Sequence, residues 1–197
     1  MGRRNLVDID KRIIQMAIKL GGKNGVDHIS TIELAKKLEI SEGTIFVHFQ
    51  SKDNLIKACY DYIVDATNKF LEVAKKMPYT EKGCYELWEK MILNMTERPD
   101  TSKFFYSYYI SRHRTSSPER KALFAGIINQ MLSINNYPVD EETAYKIWNF
   151  TFTTTLRVAV MCIDNPSKIQ SDEDMSRIFA LIYSFILMKH DDPKYIK

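Results

Sequence analysis

The stretch Ser41-Glu42-Gly43-Thr44-Ile45-Phe46-Val47-His48-Phe49 decides how the amino-terminal part of this 197-residue chain folds. Ser41 stands as an N-cap before a short helical run, and Ile45 and Phe49, four residues apart, make the stripe that packs inward. Glu42, Gly43, Thr44, Val47 and His48 are left on exposed faces. Just upstream, Ser30 caps a second short helix from about Thr31 to Leu38, with Glu33 three residues on completing a capping box. Glu39-Ile40 make the tight turn between the two. A preceding helix, about Asp8 to Gly21, turns Ile13, Ala17 and Leu20 to one side and Lys11, Arg12, Gln15 and Lys19 to the other. Two short helices joined by a tight turn and buttressed by a third are the parts of a helix-turn-helix.

In that geometry the second helix lies in the major groove of a duplex and its first residues face the bases. The residue types suit the task. Gly43 lets a backbone come close, Thr44 offers a hydroxyl and a methyl, and Val47 can touch a thymine methyl. Glu42 brings a negative charge near the groove, tolerable where it accepts a hydrogen bond from cytosine N4. His48 and Lys52 can reach phosphates, and the start of the next helix offers free backbone N–H groups. Charge agrees in sign. Residues 1–57 hold ten Lys or Arg against seven Asp or Glu, so the whole net charge of +3 sits there, and eighteen of each balance in the rest. A polyanionic partner would meet that end.

From Ile13 to Ala58 the chain resembles the amino-terminal module of the tetracycline-repressor (TetR) family. The matching signs are Ala17, Gly25, Ser30, Leu34-Ala35, Ile40-Ser41, Gly43-Thr44-Ile45, Phe46, His48-Phe49, Ser51-Lys52 and Leu55, with no gap across the helix-turn-helix. The resemblance implies that Thr44, Phe46, His48 and Lys52 contact DNA mostly at the backbone. It places Glu42, Gly43 and Val47 at base edges, beside the cap Ser41, and adds backbone contacts from Ser30 and Thr31. Two positions depart from the family pattern. Phe46 stands where the family usually has Tyr, which removes a phenol's hydrogen bond to phosphate. Glu39 stands where the family usually has Gly; a left-handed backbone there costs on the order of 1 kcal/mol.

Working outward, the chain reads as helix after helix, all-α, about nine in total. The fourth helix runs from about Lys52 to Lys76, with Leu55, Cys59, Tyr62 and Ala66 on one stripe, and Pro78 closes it. Five more follow at about 81–97, 101–114, 117–135, 140–164 and 172–189, with Pro99, Pro118, Pro138 and Pro166 near their boundaries. A helix-turn-helix domain over 1–52 and a larger helical domain over 53–197 are expected. An apolar share of 45% supports a sizeable core. The apolar runs Phe150–Ile163 and Ile178–Met188 are too short to span a bilayer, and the first residues lack the apolar centre of a signal peptide, so a cytoplasmic protein with no membrane partner is expected. Three widely spaced cysteines (Cys59, Cys84, Cys162) fit neither a disulfide framework nor a zinc site. The four histidines have no spaced Ser, Cys or carboxylate suggesting a triad or metal box, so no enzyme, cofactor or metal is expected.

For the carboxy-terminal two thirds, the resemblance implies a small-molecule cavity and a homodimer on a palindromic operator in double-stranded DNA. An effector-released repressor is the leading expectation; a helical DNA-binding or protein-interaction factor without an effector is the alternative. Groove-reading modules usually bind half-sites roughly 34–36 Å apart, which requires a second module. Ile147, Phe150, Thr154, Val158 and Met161 make one candidate pairing stripe, and Ile178, Leu181, Ile182, Phe185 and Met188 another. Both could equally face their own core. Five aromatics in six positions, Phe104 to Tyr109 with Ser107 between, cover more than half a helix circumference. Phe105, Tyr108 and Tyr109, with Trp88, Met91, Met95 and Trp148, are candidates for an apolar cavity wall or for plain core packing. Arg112 or His113 would anchor an anionic ligand.

Overall fold

The computed structural model describes residues 2–74, 79–115, 117–133, 138–166 and 171–187. Among them are nine α-helices, one short 3-10 turn and no strand. The helices are α1 (Gly2–Asn24), α2 (Thr31–Leu38), α3 (Glu42–Phe49), α4 (Lys52–Ala74), α5 (Glu81–Thr96), α6 (Pro99–Tyr109), α7 (Pro118–Ser133), α8 (Glu141–Asp164) and α9 (Asp172–Leu187), with the 3-10 turn Val26–His28 after α1. The all-α expectation holds. No described helix is long and apolar enough to cross a membrane. Expectations about Pro78, Met188, His190 and Pro193 fall outside the described residues.

The chain divides into two compact units: residues 1–70 with 97–115, and residues 71–96 with 116–197. In the first, α1 packs on α6 and on α2, and α2 on α3. Its core takes Ile13, Ala17 and Leu20 from α1, Leu34 and Leu38 from α2, Ile45 and Phe49 from α3, and Leu55, Ile56, Cys59 and Tyr60 from α4. Phe104, Phe105, Tyr108 and Tyr109 of α6 are buried in this unit. Tyr60 stacks on Tyr108 at 4.3 Å between centroids and lies 5.5 Å from Phe105. Aromatic pairs at such distances add to what burial alone supplies.

Three helix ends differ from the sequence reading, the first being the start of α1, at Gly2 rather than near Asp8. Gly21-Gly22-Lys23-Asn24 remain helical instead of starting a loop. A Cβ on Gly21 would lie 2.6 Å from the Phe104 ring, and one on Gly22 would lie 2.3 Å from the Asp100 carbonyl oxygen. These glycines therefore serve close helix packing, and the turn falls to Gly25, at φ +88°. At its other end α6 stops at Tyr109 rather than near Arg114. There Ser111 Oγ donates to the Tyr108 carbonyl at 2.9 Å and accepts the His113 N–H at 3.2 Å, replacing the next helical turn with a side-chain turn.

The second unit buries Cys84, Trp88 and Ile92 of α5 against Ala125, Ile128 and Leu132 of α7, Ala144, Ile147, Val158 and Ala159 of α8, and Phe179, Ile182 and Ile186 of α9. Its buried threonines and Trp88 find their hydrogen bonds within the unit. Thr151 and Thr155 donate to carbonyls one turn back, and Trp88 Nε1 donates to Thr155 Oγ1 at 3.1 Å.

Candidate nucleic-acid interface

The first unit builds its outer face from local rules. Ser30 accepts the Glu33 N–H at 3.2 Å, and Ser41 accepts the Thr44 N–H at 3.1 Å, so both short helices are capped by their own first residues. Between them Glu39 adopts φ 57°, ψ 40°, the left-handed C-cap conformation, and the next N–H, of Ile40, closes on the Ala35 carbonyl at 3.1 Å. Gln50, at φ 62°, ends α3 in the same region of positive φ. Ser51 Oγ then accepts the Asn54 N–H at 3.1 Å and starts α4. α3 is thus bounded by residues bent into place.

With Ile45 and Phe49 turned inward, α3 presents Gly43, Phe46 and Val47 to solvent. Val47 is 77% exposed, and Ile32 of α2 is 69% exposed. A Cβ built on Gly43 meets nothing nearer than Ser41 Oγ at 3.6 Å, so the space outside that glycine is open. Ile32 escaped the sequence reading; its signal is that it lies off the Leu34-Ala35-Leu38 stripe that α2 buries.

The polar candidates are more engaged. Thr31 Oγ1 donates to Glu42 Oε1 at 2.5 Å, clasping α2 to α3. Thr44 Oγ1 lies 2.8 Å from Ser41 Oγ. His48 Nδ1 lies 2.5 Å from Asp10 Oδ1 of α1, although the approach lacks the alignment of a hydrogen bond. Lys52 Nζ donates to the Asp27 carbonyl at 2.6 Å. Each has a frame-building role inside the unit, and Lys52 keeps two further N–H groups to offer.

The cavity candidates divide between the two units. Phe105, Tyr108, Tyr109 and Arg112 belong to the first, and Trp88, Met91, Met95 and Trp148 to the second. Arg112 Nε lies 3.8 Å from Asp27 Oδ1 with its side chain largely exposed. Trp88 is core, with Met91, Met95 and Trp148 packed around that core. Trp148 stacks between Phe124, at 4.5 Å, and Phe152, at 5.2 Å, and its buried Nε1 has no hydrogen-bond partner among the described residues.

The pairing stripes divide too. Val158 and Ile182 are buried in the core of the second unit, because α8 and α9 turn those residues toward α5 and α7. Phe150, Met161 and Leu181 point outward, with Leu181 74% exposed. Thr154, Ile178 and Phe185 are half-buried, and the Phe185 ring lies 4.0 Å from that of Phe150.

None of the three cysteines forms a disulfide, and burial pushes all three thiols upward, that of Cys84 to about 11. No group of three or more described His, Cys, Asp or Glu residues could hold a metal ion.

Residues 13–59 match the model for bacterial regulatory proteins of the tetR family. The chain is 32% identical over 85 residues to the HTH-type transcriptional regulator SAB2452 of Staphylococcus aureus, covering 43% of this chain and 44% of that protein. It is 28% identical over 91 residues to the biofilm operon icaADBC HTH-type negative transcriptional regulator IcaR of the same species, covering 44% and 47%. The chain thus spans less than half the length of these curated relatives. Across nearly the whole chain the fold is that of a TetR family transcription regulator from Marinobacter aquaeolei VT8, with TM-score 0.68 and 18% identity, covering 94% of this chain and 98% of that one.

Proposed function

Because this chain belongs to the TetR family, we propose that it is a sequence-specific transcriptional regulator that binds an operator in double-stranded DNA as a homodimer, most simply as a repressor. The observation that carries the reading is the outward face of α3, where Gly43 opens space and Val47 stands 77% exposed on a helix capped and bent into position at both ends. An exposed β-branched side chain gains nothing there from folding, but it complements a thymine methyl in a major groove. Thr44 and Phe46 flank it, Ser30 and Thr31 start α2 beside it, and Lys52 adds a cation. Ser41, Glu42 and His48 hold the helix that carries them.

Gly43→Ala tests this cleanly. The added methyl enters open space and improves helix propensity by up to about 1 kcal/mol, so the protein should be at least as stable. On a duplex selected by the wild-type protein from a random-sequence pool, affinity should fall by about fivefold or more, as a loss of about 1–3 kcal/mol per base contact requires. Unchanged affinity on that duplex, or no salt-dependent enrichment of any duplex, would remove α3 from the groove.

For the dimer, Phe150, Met161 and Leu181 supply the outward apolar surface of α8 and α9. Leu181→Asp should yield monomers in sedimentation and lower operator affinity. Dimers that persist would move the interface elsewhere.

A small apolar or aromatic effector completes the proposal. Trp148 Nε1, buried inside a stack of three rings without a partner among the described residues, is the group in the second unit that a carbonyl-bearing aromatic compound would satisfy. Such a ligand should raise the melting temperature in a thermal-shift screen, and Trp148→Phe should abolish the gain. An effector that binds one state tenfold better than the other shifts operator affinity by about 1.4 kcal/mol of coupling.

A further inference from the structure

We infer that His113, outside the helix-turn-helix, is a positioning residue for it: its imidazole clasps the two segments that enter and leave the reading helices. The inference rests on the operator-binding reading above. The His113 side chain is only 6% exposed and lies between two carboxylates. Nε2 is 2.9 Å from Asp27 Oδ1, and Nδ1 is 3.2 Å from Asp53 Oδ1. The Nε2 approach falls outside hydrogen-bond alignment.

The carboxylates matter because of where they stand. Asp27 belongs to the 3-10 turn that delivers the chain to Ser30, the cap of α2. Asp53 is in the first turn of α4, directly after the turn that ends α3. Lys52 closes the ring by donating to the Asp27 carbonyl at 2.6 Å. The same 3-10 turn is tied to α6 a second time, through the Val26 N–H donating to Ser107 Oγ at 2.9 Å. The end of α6 and its side-chain turn therefore fix both edges of the α2–α3 pair.

The chemistry gives the clasp a proton dependence. A neutral imidazole has one N–H and one lone pair, so one of its nitrogens would turn a lone pair toward a carboxylate at about 3 Å. With the second proton, both nitrogens donate and the ring carries the charge both carboxylates need. The other charged groups facing the site are Arg112, 3.8 Å from Asp27 on the same turn as His113, and Lys52 from α4; His28 shares the 3-10 turn with Asp27. The clasp is therefore complete with the imidazolium and loses one side with the neutral ring, so proton activity is the variable that separates the two.

The test compares wild type with His113→Gln and His48→Gln on the duplex selected by the wild-type protein, measuring anisotropy at fixed ionic strength from about pH 6 to 8. Wild-type affinity should weaken by about threefold or more across that range, His48→Gln should keep much of the slope, and His113→Gln should flatten it while leaving the salt slope unchanged, because His113 neutralises no phosphate. Equal profiles for wild type and His113→Gln overturn the clasp while leaving the operator reading intact. If no duplex is selected, the operator reading fails and the clasp is judged without DNA: amides of residues 26–30 and 52–56 should exchange faster at high pH in wild type, after correction for intrinsic rates, but not in His113→Gln. Should His113→Gln not fold, nitrogen-15 spectra of the wild-type imidazole decide. Two protonated ring nitrogens at about pH 6 support the clasp, and a neutral ring there overturns it.

Discussion

Two glycines in helices should respond to the same substitution with opposite sign. Gly22 lies in α1 and Gly126 in α7. Replacing an interior helical Gly by Ala ordinarily stabilises by about 1 kcal/mol, because the unfolded chain loses freedom. At Gly126 nothing lies within 4 Å of the added carbon, so Gly126→Ala should realise that gain. At Gly22 the added carbon would sit 2.3 Å from the Asp100 carbonyl oxygen and 2.9 Å from the Asp100 carbonyl carbon and Cα. The first distance is more than 1 Å inside the 3.4 Å where ordinary contact begins, and every obstructing atom is backbone at the start of α6. No rotamer relieves it, so α1 and α6 must part.

Overpacking costs about 1–3 kcal/mol, and the rigid obstruction argues for the upper end, leaving a net loss of about 2 kcal/mol after the propensity gain. At roughly 2–4 °C per kcal/mol for a chain of this size, Gly22→Ala should melt about 4–8 °C lower and Gly126→Ala about 2–4 °C higher. Calorimetry gives the shifts. Amide exchange assigns them, with protection lost around residues 17–24 and 99–109 in the first variant only. If Gly22→Ala melts at or above wild type, the close approach of α1 and α6 is wrong, and with it the account of why α1 continues to Asn24.

Glu39→Asn should stabilise by about 0.5–1 kcal/mol, read as a higher urea midpoint at constant m, because Asn tolerates the left-handed conformation that Glu39 adopts at φ 57°. A fall would mean that the Glu39 side chain contributes more than its backbone strain costs. Trp88→Phe keeps a ring in the core but deletes the Nε1–Thr155 hydrogen bond. It should cost about 1 kcal/mol beyond the volume change, and not more, since Thr155 still donates to the Thr151 carbonyl. Cys84, its thiol pushed to about 11, should alkylate far more slowly than a free cysteine at about pH 8, with a rate that climbs as pH rises toward that value. Mass spectrometry of iodoacetamide-treated native protein reads this directly.

What the sequence revealed was local. Both N-caps, the tight turn at Glu39-Ile40 and the inward pair Ile45 and Phe49 are read from nearby residues and their spacing, while the left-handed backbone at Glu39 follows only from the family resemblance. The misread carboxy-terminal end of α1 depends on distant partners, whereas that of α6 turns on Ser111, whose side chain bonds to neighbours at 108 and 113. Gly21-Gly22 looks like a helix stop because nothing near it in the chain announces that Phe104 and Asp100 will lie against it. For the aromatic run at 104–109 the excess of rings can be counted, which leaves cavity wall and core packing both open, but spacing does not announce that Phe104 lies against α1 and that Phe105, Tyr108 and Tyr109 lie against Tyr60. On α8 and α9 apolar residues occur on more than one face, so periodicity could not separate the outward Phe150 and Leu181 from the buried Val158 and Ile182.

The same distinction sorts the candidate interface. A reading helix must be rigid before it meets DNA, since any ordering left to the moment of binding subtracts from affinity. In this chain several polar residues of the motif are used to that end: Thr31 with Glu42, His48 with Asp10, Lys52 with Asp27. Their replacement should loosen the module and weaken all duplexes alike. Gly43 and Val47 hold nothing in place, so changing them should alter which duplex is preferred while leaving the frame intact. Specificity and scaffold are then separable in one nine-residue stretch. A Val47 variant that weakens every sequence equally would show that they are not.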